Sequence, residues 1–217
     1  MLYRILFGLL FLASTPLSAQ FSLGVIGGVG QIGLSGDAPP PTYWGTTFGW
    51  GAGLAMEYDV GNDVGITAQP MFESRSSALR VTVPIEGSNP PEDSTFDSAY
   101  VRTTNVAIPI GIRVYSGSRR WFFATGATAI LMQEAEIDTL NGSYEAPNAI
   151  KSIDLMLNVG IGYQIPIDPI RINIELRYSQ GLADLVGEDQ YQFMTNSPVV
   201  RMGGFQAMVA AEWRFGQ

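Results

Sequence analysis

Ile170-Arg171-Ile172-Asn173-Ile174-Glu175-Leu176-Arg177-Tyr178-Ser179-Gln180-Gly181-Leu182 alternates with period two. Ile170, Ile172, Ile174, Leu176 and Tyr178 fall on one side. Arg171, Asn173, Glu175, Arg177 and Ser179 fall on the other. That is a β-strand with one apolar and one polar face. A soluble sandwich or barrel buries the apolar face and wets the polar one. A membrane barrel turns the apolar face to lipid and the polar face inward. The rest of the chain decides between them.

The same alternation recurs over 20–34, 44–60, 64–83, 99–115, 119–137, 149–165, 170–181 and 199–215. The connections between these segments alternate in length. Residues 35–43, 84–98, 138–148 and 182–198 are long, whereas 61–63, 116–118 and 166–169 are short. An even number of strands with a long-short rhythm predicts an all-β, eight-stranded antiparallel up-and-down transmembrane barrel, with its short turns and both termini on the periplasmic side. A soluble up-and-down barrel has no reason to sort its loops this way.

Aromatic spacing gives a second check. Trp50 and Tyr58 are eight residues apart on the apolar phase, as are Phe205 and Trp213, and Ile170 and Tyr178; Phe72 follows Val64 by the same step. Eight tilted residues span about 20 Å along the membrane normal. Tyr58, Tyr163, Trp213 and Phe215 are expected to form one membrane girdle, and Trp50, Phe72, Tyr178 and Phe205 the other. The opposite phase fills the lumen with Glu57, Glu73, Arg75, Arg113, Asp154, Arg171, Glu175, Arg177, Glu212 and Arg214, joined by Gln69, Asn105, Asn158, Asn173 and Gln206. Eight strands leave room inside for little more than side chains, so an ion-pair network that closes the barrel is expected.

Composition bounds the function. The 217 residues carry a net charge of −8 and hold neither Cys nor His. No disulfide, thiolate metal site or lipobox is available. The commonest general base and metal ligand is absent. No catalytic residue, metal site or cofactor is expected, and the acidic balance argues against nucleic acid. Residues 1–19 read as a cleaved export signal: Arg4 supplies its positive charge, 5–12 form a short apolar run, and Leu17-Ser18-Ala19 suits cleavage before Gln20. The barrel domain is then 20–217.

The long connections hold Asp37, Glu86, Glu92, Asp93, Asp97, Asp138, Glu145, Asp184, Glu188 and Asp189, and no Lys or Arg. Arg80, Arg102, Lys151 and Arg201 stand where strands meet those connections. Two readings are open: contact with lipid A phosphates, or pairing with the nearby acids. No ordered Ca²⁺ ligand spacing is present. Gly28-Val29-Gly30-Gln31-Ile32-Gly33 matches a dinucleotide fingerprint, but Pro39-Pro40-Pro41 follows where a helix must begin. Small residues that make room for bulky luminal side chains explain it better. Asn141-Gly142 is a turn signal.

Three segments carry a family resemblance: Val106-Ala107-Ile108-Pro109-Ile110-Gly111-Ile112-Arg113, Arg177-Tyr178-Ser179-Gln180-Gly181-Leu182, and the closing strand over 203–215 with alternate aromatics. They resemble the PorT-like group within the OmpA/OmpX-type small outer-membrane barrels of Bacteroidetes-type bacteria. One departure is that Phe215 stands two residues short of the end. The resemblance implies a structural or interaction role, or assistance in outer-membrane transport or secretion, with outer-membrane lipid and an unnamed protein as partners. The alternatives are a narrow porin-like channel, a membrane-embedded lipid-modifying enzyme and a soluble lipocalin-like carrier.

Overall fold

The computed structural model describes residues 21–38, 41–61, 63–84, 93–139, 142–145, 152–185 and 199–215. The expected export signal over 1–19, and Glu86, Glu92, Asn141, Lys151, Glu188 and Asp189, lie outside the described residues.

Among the described residues the strands are β1 (Phe21–Gly36), β2 (Thr42–Thr46), β3 (Gly49–Asp59), β4 (Val64–Ala68), β5 (Met71–Pro84), β6 (Asp93–Tyr115), β7 (Trp121–Thr139), β8 (Gly142–Glu145), β9 (Ile153–Ile167), β10 (Ile170–Gly181) and β11 (Val200–Phe215). All pairings are antiparallel, and β1 pairs with both β3 and β11, so the sheet closes. The wall has eight members, because β4 and β5 are one line broken at Gln69-Pro70. Both pair with β3 on one side and β6 on the other. Pro70 has no N–H to give the ladder, but its carbonyl still accepts from Leu54 N at 3.0 Å. β2 extends the line of β3 along β5 past a bulge: four steps from Thr46 to Trp50 oppose three from Ser77 to Ser74.

Pairing fixes the barrel's geometry. A path across the ladders from Leu23 passes Met56, Ala68, Ile110, Ala127, Leu157, Gln180 and Gly203, and returns to β1 at Gly33, ten residues on. Eight strands with that stagger tilt about 40° and give a backbone radius of about 8 Å. The lumen therefore has room for side chains and little else.

Exposure settles the question raised by 170–182. Ile174 is 47% exposed and Leu176 52%, whereas Glu175 is 2% and Arg177 6%. The apolar face points out and the charged face points in, which is the inside-out pattern of a barrel in lipid. No helix among the described residues is long and apolar enough to cross a membrane; the strands do the crossing.

In two segments expected as loops, the described residues are strand. β6 starts at Asp93 and pairs Ser94, Thr95 and Phe96 with Val83, Thr82 and Val81. β8 folds back on β7 over Glu136–Thr139. Asp93, Asp97, Asp138 and Glu145 therefore stand on strands. Their acidity suggested solvated loop, but the β-branched and aromatic residues between them favour pairing. The result is a β-ribbon of β2, β5, β6, β7 and β8 that projects beyond the barrel at its long-connection end.

Candidate functional site

Among the described residues the lumen is the one interior site, and it has two layers. The first lies toward the short turns. Arg113, 1% exposed on β6, donates from Nη1 to Glu57 Oε2 at 2.7 Å and from Nη2 to Glu175 Oε2 at 3.1 Å. Its Nη1 also stands 3.4 Å from Glu212 Oε1. Arg171 donates from Nη2 to Glu212 Oε2 at 2.6 Å and lies 3.1 Å from Glu57. Arg177 joins Glu175 at 2.8 Å and Gln69 at 2.6 Å. Three guanidinium groups thus face three carboxylates inside a low-dielectric tube, where an unpaired charge is costly. Tyr115 donates its hydroxyl to Glu57 Oε1 at 2.6 Å, and Asn173 donates to Glu212 Oε1 at 2.9 Å. Ser22 accepts from Arg171. The Phe122 ring lies 4.7 Å beneath the Arg113 guanidinium.

These residues meet because period-two strands on opposite walls all aim at one axis. Small residues open the space. A Cβ on Gly65 collides with the Glu57 side chain, one on Gly162 with the Phe122 ring, and one on Gly28 with Met208. The Gly28-Gly30-Gly33 pattern is thus a packing feature of β1, as its poor context for a nucleotide site suggested.

The second layer lies toward the long connections. Arg75 donates from Nε to Glu73 Oε2 at 2.9 Å, and its Nη1 lies 3.3 Å from the Met156 sulfur. Above it an apolar cap of Ile32, Leu34, Val101, Ile130, Met202 and Leu185, among others, fills the mouth. Asp154, 4% exposed, takes Leu155 N at 2.7 Å on one oxygen. Of the expected luminal residues, Arg214 is half-buried and the others are buried. A cavity of about 20 Å³ remains beside Gln69, Arg113, Asn158 and Glu175, room for about one water.

Outside, the aromatics gather near the two rims. Trp50 and Phe72 lie 6.3 Å apart, and Tyr178 and Phe205 4.9 Å, toward the long connections. Trp121 and Tyr163 lie 5.0 Å apart, and Phe21 and Phe215 6.3 Å, toward the short turns. Tyr58 and Trp213 are exposed near that second rim, opposite Phe21 and Leu23 respectively. Phe21 and Trp121 escaped the sequence reading, although both sit in phase at strand starts.

The basic residues at the long-connection end are not alike. Arg80 bonds Asp97 at 2.8 Å, and Arg102 lies 3.4 Å from Asp138. Arg201 is exposed, and Lys151 lies outside the described residues. On the projecting ribbon the Tyr100 hydroxyl bonds Asp97 Oδ2 at 2.7 Å. That bond first, and Arg80 second, hold the Asp97 carboxyl below the usual carboxylate range. The same bond raises Tyr100 above the ordinary phenol value.

Sequence reasoning also missed Tyr115, Ser22 and the apolar cap. Tyr115 was legible, two residues past Arg113 on the luminal phase. The cap was not, because Ile130, Met156 and Met202 look like any apolar strand residues until the register places them inside.

Fold and lumen together define a closed β-barrel that spans a membrane through its strands. The chain belongs to the outer membrane protein beta-barrel domain family, whose pattern it matches over residues 14–187. It is an integral protein of a Gram-negative outer membrane. Among solved structures it is similar to the attachment invasion locus protein Ail of Yersinia pestis, solved with the heparin analogue sucrose octasulfate, at 16% identity over 90% of this chain and 99% of that one, TM-score 0.43. It is also similar to Neisserial surface protein A, at 12% identity over 91% and 99%, TM-score 0.47. OprG of Pseudomonas aeruginosa is similar at 12% identity over 92% and 96%, TM-score 0.41. No curated protein matches the sequence significantly.

Proposed function

We propose that the protein is a non-enzymatic, non-conducting anchor that holds a β-ribbon and acidic connections at the cell surface for interaction with other molecules. The observation that carries this is the doubly filled lumen. Among the described residues the polar layer around Arg113 and the apolar cap around Ile130 fill the lumen at two heights, so in this reading what the protein offers a partner lies outside the barrel. In this reading residues 1–19 direct export, both termini face the periplasm, and the ribbon faces outward. Display of the acidic surface and assistance in outer-membrane transport or secretion, as in PorT-like barrels, are the roles it serves.

The rim aromatics act as membrane girdles, and Arg80, Arg102, Lys151 and Arg201 form a collar toward lipid A phosphates. Arg201 is the best-placed of the described members, since Arg80 and Arg102 already hold acids. Two measurements test the proposal. Purified protein in planar bilayers gives a silent trace; steady ohmic conductance at any voltage overturns the anchor reading. Substitution of all four collar residues raises sensitivity of cells to divalent-ion chelation, and unchanged sensitivity removes the collar.

A further inference from the structure

The apolar belt of the barrel is not an even band. On β9 every outward residue from Ile153 through Leu155, Leu157, Val159, Ile161, Tyr163 and Ile165 to Ile167 is apolar or aromatic, with Ile153 64% exposed. That strip spans fourteen residue steps, about 35 Å of axial height at the barrel's tilt. On β6 the outward strip runs only from Val106 to Val114, eight residue steps, or about 20 Å. The β4–β5 line matches β6, from Val64 to Phe72. Beyond Phe72 and Val106 the outward positions become Ser74, Ser76, Thr104 and Arg102, facing one another across the ladder.

The register compares the two sides at equal height. One circuit climbs ten residues, so each step to the next strand climbs about one and a quarter residues. On that scale Ser74 is level with Leu155, and Thr104 with Ile153. At one height the wall is therefore polar on β5 and β6 and apolar on β9. A tilt of the whole barrel does not account for this. Tilt moves both edges of an even band the same way, whereas β9 outlasts β6 at both ends, with Ile153 above the level of Val106 and Ile167 below that of Val114.

A bilayer meets such a wall by thinning where the strip is short and thickening where it is long. The apolar band of outer-membrane barrels is about 25 Å tall, between the two values found here. We propose that this barrel holds a bilayer of uneven thickness, with lipid headgroups drawn down onto Ser74 and Thr104 beside β5 and β6, and acyl chains drawn up over Leu155 and Ile153 beside β9. The partner of the polar sector is the headgroup layer itself, because the sector continues the lipid-facing wall without a break in strand or phase. This inference rests on the strands crossing the membrane and not on the collar or the anchor role.

The chain has no Cys, so single-cysteine variants report cleanly. Ser74→Cys, Thr104→Cys, Ile153→Cys and Leu155→Cys are labelled with a nitroxide in phosphatidylethanolamine–phosphatidylglycerol vesicles, each first shown folded by its heat-dependent gel mobility. Collision with oxygen is compared with collision with a water-soluble nickel chelate. The expected result is at least a fivefold higher oxygen-to-nickel ratio at 153 and 155 than at their level partners 104 and 74. Equal ratios within a pair overturn the proposal, whether both probes lie in lipid or both in water. Two independent pairs keep the test decisive if one variant fails to fold.

Discussion

Arg113 shows what one residue does in a closed lumen. Its guanidinium touches Glu57, Glu175 and Glu212 at once. Replacing it with Met keeps the bulk and leaves three carboxylates sharing Arg171 and Arg177. Breaking a buried pair by removing one partner costs about 3–5 kcal/mol, so R113M should lower the urea midpoint of the folded barrel in micelles well beyond any single surface substitution. Following R113M with Glu57→Gln should recover part of that loss, and a double-mutant cycle reads the coupling. Gly162 gives a steric counterpart. A Cβ there strikes the Phe122 ring, which lies under Arg113. Gly162→Val should cost about 1–3 kcal/mol as an overpacked site, and tryptic cleavage of the refolded barrel should speed accordingly. Arg113 and its acids were legible from period alone. Their partners were not, because strand phase says that a side chain points inward and says nothing of which wall it meets.

At the scale of elements, the β5–β6 ribbon is where sequence and structure part. The alternation predicts strand up to residue 83 and loop over 84–98, whereas the structure breaks the strand at Gln69-Pro70 and starts the next one at Asp93. Asp93 and Asp97 pulled that reading toward solvent, although Thr95 and Phe96 sit opposite Thr82 and Val81. Cross-strand pairing outweighed composition, as it does wherever β-branched residues find partners. The ribbon also carries a pH dependence. Asp97 is lowered by Tyr100 and then by Arg80. A carboxylate with a depressed folded-state pKa adds stability above its unfolded value, near ~3.9, and that contribution fades as pH falls through the lower folded value. The ribbon should therefore loosen below about pH 4 while the barrel stays intact. Nuclear magnetic resonance shifts of Thr82, Thr95 and Tyr100 should move together in that window. In Asp97→Asn they should be flat across it; a titration unchanged by that substitution would assign the effect to other groups.

In the anchor reading the barrel is a tube sealed twice among its described residues, and the two seals make different demands on a sequence. The polar seal is written in alternating charges, so it was visible from the start. The apolar seal uses Ile32, Leu34, Ile130 and Met202, each 4% exposed or less, and only the ten-residue stagger of the ring brings them together. The seals also lie at different heights, toward the short turns and toward the long connections, so neither depends on the other. This independence predicts how the barrel responds to luminal mutation. With a backbone radius of about 8 Å, opening a water path requires removing side chains in both layers. R113M alone destabilises the polar layer but leaves the cap shut, so its planar-bilayer trace should stay silent. Ile130→Ala with Met202→Ala thins the cap but leaves Arg113, Arg171 and Arg177 bridged to their acids, and it too should be silent. The four-fold combination with Arg113→Ala and Glu57→Ala, which remove the bulk that R113M keeps, should conduct, in steps that favour cations because Glu175 and Glu212 then face open water with fewer guanidinium partners. Conductance from either set alone would mean that the seals act as one plug, and the anchor reading would then have to accommodate a barrel one substitution from being a pore.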